Sequence, residues 1–323
     1  MIQFQFEDHH HSIKKKRKQL LNCAKIVGRF LVSLVLVLLA HSALLLVPLF
    51  FSSSASSLLL QLILSGLVLL LATGVGRWCR RLVGVFASAP ALVFFNVLFI
   101  WGVYLFLVQR AVSRFMNVVF NVEIALLLLG LCRILSSDPG VVTYESSISE
   151  DEVCGAEAYN KGSKPLNRVR YCRSCKAYIK GFDHHCPAFG NCIGQNNYVL
   201  FMVLLVGFVA SEVSYIVCLS HFSRESQILG GTVSENNVAE SLVISTKLFC
   251  LLQVLWQGLF VMWHVYCICS NIRTDEWINW TRYPEFQSEV QSQRGESFTG
   301  VVFRNPYDKG ILHNVKEFLG IES

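Results

Sequence analysis

Between Arg170 and Phe201 the chain runs R-Y-C-R-S-C-K-A-Y-I-K-G-F-D-H-H-C-P-A-F-G-N-C-I-G-Q-N-N-Y-V-L-F, gathering Cys172, Cys175, Cys186, Cys192, Asp183, His184 and His185 in one short stretch. Thiolates and imidazoles are zinc ligands, and a thiol beside an imidazole is also the core of a nucleophilic site. Cys172-x2-Cys175 has knuckle spacing, two thiolates converging from a tight turn, and a structural zinc takes four Cys or His ligands in a tetrahedron. The pattern continues into the His184–His185 pair and into Cys186 and Cys192, enough for one Cys3His site. Spacing does not say which of the two histidines, or which of Cys186 and Cys192, is the ligand. A free cysteine has a pKa near 8.5 and is mostly protonated at neutral pH. A neighbouring His can act as its base or cationic partner, and an Asp can orient that His.

The elements that hold this stretch are membrane helices. Hydrophobic residues make up 53% of the 323 and charged residues 15%, against about 25% charged in a soluble chain. The net charge of +6 is small and scattered, which speaks against a nucleic-acid partner. A membrane span needs roughly 20 apolar residues. Such runs lie at Phe30–Phe51, Leu58–Val75, within Leu82–Val108, and at Asn117–Leu135, Val199–Ser220 and Leu242–Cys269. The expected architecture is therefore an all-α polytopic membrane protein with about six transmembrane helices. The cysteine-rich segment falls between the fourth and fifth, and a polar turn at Ser52–Ser57 joins the first two.

This divides the chain into a basic tail (1–29), four spans (30–135), the cysteine-rich domain (136–197), two spans with a lumenal or extracellular loop (198–269) and a C-terminal tail (270–323). Lys14–Lys18, Arg77, Arg80, Arg81 and the cysteine-rich segment collect positive charge, whereas the opposite loops hold only Arg110, Arg114 and Arg224. By the positive-inside rule both termini and the cluster face the cytosol. In that reducing compartment metal binding or catalysis is favoured over a disulfide. His9–His11 in the tail are assigned no role. Glu123, Glu212, Gln253, Gln257 and His264 sit inside spans, where polar residues mark functional sites or bond between helices. A transporter reading would use them, but no internal repeat or matched pair of broken spans supports it.

Asp183-His184-His185-Cys186-Pro187, with Asn191-Cys192-Ile193-Gly194 and Asn197 behind it, resembles the signature of the DHHC-type protein S-acyltransferases, the palmitoyltransferases. Asp138-Pro139-Gly140 after the fourth span resembles the Asp-Pro-Gly of that family. Arg273-Thr274-Asp275-Glu276 resembles its Thr-Thr-x-Glu, with Arg273 replacing the first Thr. Asn305-Pro306-Tyr307-Asp308-Lys309-Gly310 and Asn314 resemble its C-terminal motif. Each is weak alone, and their order around the cluster carries the resemblance, which covers Asn117 to the C-terminus. The first two spans are extra to the common four-span core.

The resemblance implies that Cys172, Cys175, His185 and Cys192 bind zinc and that Asp183, His184 and Cys186 do the chemistry, with Thr274 contacting Asp183. It also implies palmitoyl-CoA as donor, an acyl-cysteine intermediate, and acceptor cysteines on membrane-associated proteins facing the cytosol, in an endomembrane or the plasma membrane. The family has a second zinc site, but here Tyr171 and Tyr178 stand at two of its ligand positions and Cys154 is alone, so one zinc is expected. Ala188 replaces the Trp after Cys-Pro, with Phe189 beside it. Arg173, Lys176 and Lys180 are candidate partners for CoA phosphates, against the plainer reading of solvated charges. The rival is a catalytically inactive zinc-containing scaffold of the same family.

Overall fold

The computed structural model of the protein describes residues 2–51, 57–83, 86–142, 168–228, 237–291 and 299–321. Cys154 and residues 52–56 of the expected serine turn lie outside them. The long helices are α1 (Ile2–Phe50), α2 (Leu58–Val83), α3 (Ala89–Val103), α4 (Arg114–Ser136), α5 (Tyr198–Ile228) and α6 (Asn237–Cys269). Six segments are long and apolar enough to cross a membrane: Cys23–Phe50, Leu58–Trp78, Ala89–Ala111, Arg114–Ser136, Tyr198–Phe222 and Val238–Cys269. Leu70, Leu71, Leu129 and Leu259 among them point outward. Such exposure suits lipid, because each helix satisfies its own backbone polar groups. The helix that carries the first span, α1, runs unbroken from Ile2, so no helix boundary marks the end of the basic tail.

Local chemistry sets several ends. Ser57 precedes α2 and its Oγ accepts the Leu60 N–H at 3.3 Å, the N-cap bond that supplies an otherwise unpaired donor. Pro90 lies in the first turn of α3, where no N–H is missed. After Val103 that helix widens into a π turn (Tyr104–Val108) and closes with a 3-10 turn (Gln109–Ala111).

Two compact units emerge, one formed by Met1–Ile124 with Glu212–Gln253, the other by Ala125–Ser211 with Val254–Ser323. In the first, Ser33 Oγ accepts the Ser88 N–H at 2.9 Å. His41 stacks on Phe99 with centroids 3.9 Å apart and shares a hydrogen bond with Asn96 Oδ1 at 3.0 Å. Glu123 Oε1 accepts the Ser214 hydroxyl at 3.1 Å, an interhelical bond.

The second unit holds β1 (Val169–Cys172) paired antiparallel with β2 (Ala177–Lys180), and β3 (His184–Cys186) paired antiparallel with β4 (Asn191–Ile193). After α6 come the short α7 (Thr274–Ile278), a β5–β6 hairpin (Gln287–Gln291 with Thr299–Phe303) and α8 (Ile311–Leu319). Phe286 is the centre of a C-terminal cluster with Cys267, Ile272, Trp280, Tyr283, Phe303 and Tyr307.

Candidate active site

The Asp-His-His-Cys run is sorted by strand geometry. Successive side chains of a strand point to opposite faces, so His184 and Cys186 share one face of β3 and His185 occupies the other. His185 lies directly opposite Cys192 on β4. The tight turn between β1 and β2, with Lys176 at φ 54°, folds Cys175 back on Cys172, whose Sγ accepts the Cys175 N–H at 3.4 Å. Cys175 Sγ is 3.4 Å from His185 Nδ1 and 3.3 Å from Cys192 Sγ, and Cys192 Sγ is 3.6 Å from His185 Nδ1. With Zn–S near 2.3 Å and Zn–N near 2.0–2.1 Å, ligands at the corners of a tetrahedron stand about 3.3–3.8 Å apart. Cys172, Cys175, His185 and Cys192 therefore form a cluster fitted to a metal ion.

On the other face, Asp183 is fully buried and both of its oxygens are engaged. His184 Nδ1 donates to Oδ2 at 2.6 Å, and the Thr274 backbone N–H donates to Oδ1 at 2.9 Å. The Asp183 backbone is also held, its N–H by Ile193 O at 2.8 Å and its C=O by Asp275 N–H at 3.0 Å. Thr274 thus meets the aspartate through its amide, while its hydroxyl accepts from Trp263 Nε1 at 3.3 Å. With Nδ1 taken by Asp183, His184 keeps Nε2 for a further partner, and Cys186 lies on the same face of β3. Burial alone would lower the His184 imidazole, but the bonds to Asp183 and Cys186 and the carboxylate charge outweigh it and hold it at about 9. Burial would likewise raise the Asp183 carboxyl, yet His184 above all, then His264 and the Thr274 amide, keep it below the usual range.

His264 is the addition that sequence did not place here. It stood out only as an ionisable residue within a span, yet its Nδ1 lies 4.0 Å from Asp183 Oδ2 and 3.0 Å from the Tyr198 hydroxyl. Phe201 and Phe260 close over its ring at 4.9 and 4.7 Å. Phe189 is buried against Phe201, 6.0 Å between centroids, with the buried Cys186 nearby in sequence. The imidazole–thiol pair therefore sits beside aromatic walls. Tyr171 and Tyr178 face each other across β1 and β2 with rings 5.1 Å apart, so those two positions carry a cross-strand aromatic pair.

The outlying motifs brace this arrangement through helix ends, whose last carbonyls lack intrahelical partners. Asn191 Nδ2 donates to Ile134 O at 2.9 Å and Ser137 O at 2.8 Å, closing α4. Asn314 Nδ2 donates to Cys269 O at 2.7 Å and Asn305 Nδ2 to Ser270 O at 2.5 Å, closing α6 just before Thr274. Glu276 is buried in a two-pronged pair with Arg168, at 2.8 and 2.5 Å, and its Oε2 caps the Arg273 N–H at 2.9 Å. Arg168 was not singled out by sequence, because its partner lies more than a hundred positions away.

Asp138 Oδ1 accepts the Gly140 and Val141 N–H groups, and Gly140 O accepts from Lys180 N–H at 2.9 Å, tying the Asp-Pro-Gly turn to β2. Gly194 allows the close approach: a Cβ there would lie 2.3 Å from Pro139 O and 2.7 Å from Ile179 Cγ2. Gly194→Ala is expected to lower stability by about 1–3 kcal/mol, the usual penalty of overpacking. The check is the thermal inactivation midpoint of the purified protein, and an unchanged midpoint would mean that the turn yields freely.

Comparison with known proteins agrees with this geometry. The sequence model of the DHHC palmitoyltransferase family matches residues 155–281. Probable protein S-acyltransferase 15 of Arabidopsis thaliana is 26% identical over 222 residues, covering 66% of this chain and 82% of that protein. Palmitoyltransferase AKR1 of Mortierella alpina is 25% identical over 58% of this chain and 38% of its own length. Palmitoyltransferase ZDHHC18-A of Danio rerio is 30% identical over 40% of this chain and 26% of its own. The chain thus spans most of the first relative and well under half of the other two. Residues 155–281 thus carry a DHHC palmitoyltransferase domain, and that domain with these relatives supports protein-cysteine S-acyltransferase activity.

Proposed function

We propose that this protein moves a long-chain acyl group, palmitoyl as the reference case, from acyl-CoA to Cys186 and then to a cysteine of a membrane-associated protein. The observation that carries this reading is His184 held by Asp183 at 2.6 Å on the face of β3 that also carries Cys186. A His184 with a pKa near 9 is protonated at neutral pH, and a cationic imidazole stabilises the thiolate form of its neighbour.

In the first step the Cys186 thiolate attacks the thioester carbonyl carbon, the bond to the CoA sulfur breaks, and the departing thiolate takes the proton from His184. In the second step His184, now neutral, accepts the proton of the acceptor thiol. That thiolate attacks the acyl-Cys186 carbonyl, and Cys186 leaves as thiolate beside the recharged imidazole. Asp183 fixes the ring and balances its charge throughout, the orienting role of the third member of such a set. Thr274 in turn holds the carboxylate by its amide.

Cys172, Cys175, His185 and Cys192 would hold one structural zinc, which when bound fixes the fold of the hairpins. The positive-inside distribution supports a cytosolic cluster and cytosolic termini. Each buried CH2 of the acyl chain contributes about 0.8 kcal/mol, which suits a donor delivered from the membrane.

The test uses purified protein and a tagged palmitoyl-CoA. Wild type is expected to take up label that hydroxylamine removes, and Cys186→Ser to take up none. Absence of label on folded, zinc-loaded wild type would overturn the reading in favour of a scaffold. Label persisting in Cys186→Ser would assign the nucleophile elsewhere.

A further inference from the structure

The second unit contains a polar cavity of about 370 Å³ that Asp183, His184 and Cys186 do not line. Arg168, Lys180, Arg273, Tyr307, Asn271 and Glu317 supply its polar wall. Arg168 is already engaged, by Glu276 and by Asn271 Oδ1 at 2.7 Å. Glu317 is engaged as well, accepting from Lys309 Nζ at 2.9 Å. Lys180 and Arg273 remain, and neither forms an ion pair among the described residues.

The Arg273 guanidinium lies over the Tyr198 ring, 4.6 Å from its centre, and its Nε is shut away from solvent without an acceptor. The Tyr307 hydroxyl is likewise buried without a partner. A buried donor left unpaired is costly, and more so when charged. Two cations without an ion pair, with the Tyr307 hydroxyl and Asn271 Nδ2 as further buried donors without a partner, suit an oxyanion in a cavity of this size. The planar guanidinium suits phosphate in particular.

We propose that this cavity binds a phosphate-bearing ligand, with Arg273 and Lys180 as its charged contacts and the Tyr307 hydroxyl as a neutral donor. Arg273 stands where the resembling motif has Thr, so the site is a property of this chain. It is also coupled to the catalytic carboxylate by two short routes. Arg273 directly precedes Thr274, whose N–H holds Asp183. Its guanidinium packs on Tyr198, whose hydroxyl meets His264 beside that carboxylate. A ligand that fixes Arg273 therefore steadies the orienting acid.

The phosphate could be that of a CoA molecule or of a lipid headgroup, and the experiment separates them. Thermal unfolding of the full-length, zinc-loaded protein is followed at constant ionic strength with pyrophosphate, free CoA or inositol trisphosphate, against chloride. The expected result is saturable stabilisation of wild type by at least one probe. Apparent affinity should fall about tenfold in Arg273→Thr and in Lys180→Met, the loss of one charge-assisted contact. Preference for CoA assigns the site to a donor-type phosphate, and preference for inositol trisphosphate to a headgroup. Arg273→Thr is expected to fold, because the cap on Glu276 uses the backbone N–H and Thr is a favourable N-cap residue. The exposed Lys180→Met provides an independent arm. No stabilisation beyond chloride, or equal stabilisation in both variants, would overturn the proposal. The binding readout involves no acyl transfer, so its failure is distinct from failure of the proposed reaction.

Discussion

Replacing Asp183 by Asn should slow acylation of Cys186 by about 10⁴-fold, the scale seen when the orienting acid of a triad is made an amide. The two side chains have the same shape, but the two oxygens of Asp183 have different partners. Oδ1 accepts from the Thr274 N–H and Oδ2 from His184 Nδ1. An Asn that keeps its oxygen on Thr274 turns its NH2 toward Nδ1, which must then accept. The ring proton moves to Nε2, the cationic form loses its counter-charge, and Cys186 faces a neutral imidazole. Single-turnover labelling at saturating acyl-CoA measures the rate, and metal analysis shows whether the other face of β3 is undisturbed. A rate within tenfold of wild type would remove Asp183 from the mechanism. Equal loss in His184→Gln would show that the two act as one unit.

The second large effect is expected from the opposite face. Cys192→Ala removes a fully buried thiol directly across the ladder from His185. A structural zinc contributes about 10–16 kcal/mol of apparent folding free energy at neutral pH, comparable to the whole stability of an ordinary domain, about 5–15 kcal/mol. The hairpins should therefore lose metal, protease resistance and acylation together. Asp183→Asn should lose only acylation. Full zinc content and unchanged protease resistance in Cys192→Ala would show that the cluster recruits a different ligand, and Cys186 would be the first to test.

Much of this was legible in sequence because it depends on local pattern. The apolar runs announce the spans, and the order Asp138-Pro139-Gly140, cysteine cluster, Thr274-x-Glu276, Asn314 announces the family. The division of labour between His184 and His185 was not legible from spacing, yet the information was present. Had His184–Cys186 been recognised as a strand, alternation would have separated the two histidines without any resemblance. What sequence could not supply was contact across long separations. His264 looked like an isolated polar residue in a span until Tyr198 and Asp183 came beside it. Arg168 drew no attention in sequence, and only the fold brings it to Glu276. Arg273 looked like a lost motif threonine, and only its unpaired Nε and the cavity beneath give it a purpose. Thr274 was expected at Asp183, and the structure adds that the contact runs through its amide, so the hydroxyl is not what holds the acid.

The two faces of β3 also set how this site tolerates change. The side chains proposed to hold metal and those proposed to react alternate along one three-residue ladder, and a slip of one position turns every strand side chain to the opposite face. Substitution at a neighbour such as Ala188 leaves the alternation untouched. Insertion or deletion of a single residue at the Asp183–His184 junction is expected to exchange the faces of β3, turning His184 and Cys186 toward Cys172 and Cys175 and His185 away from them. The motif is therefore constrained in frame more tightly than in composition, and its length is as much a functional property as its letters.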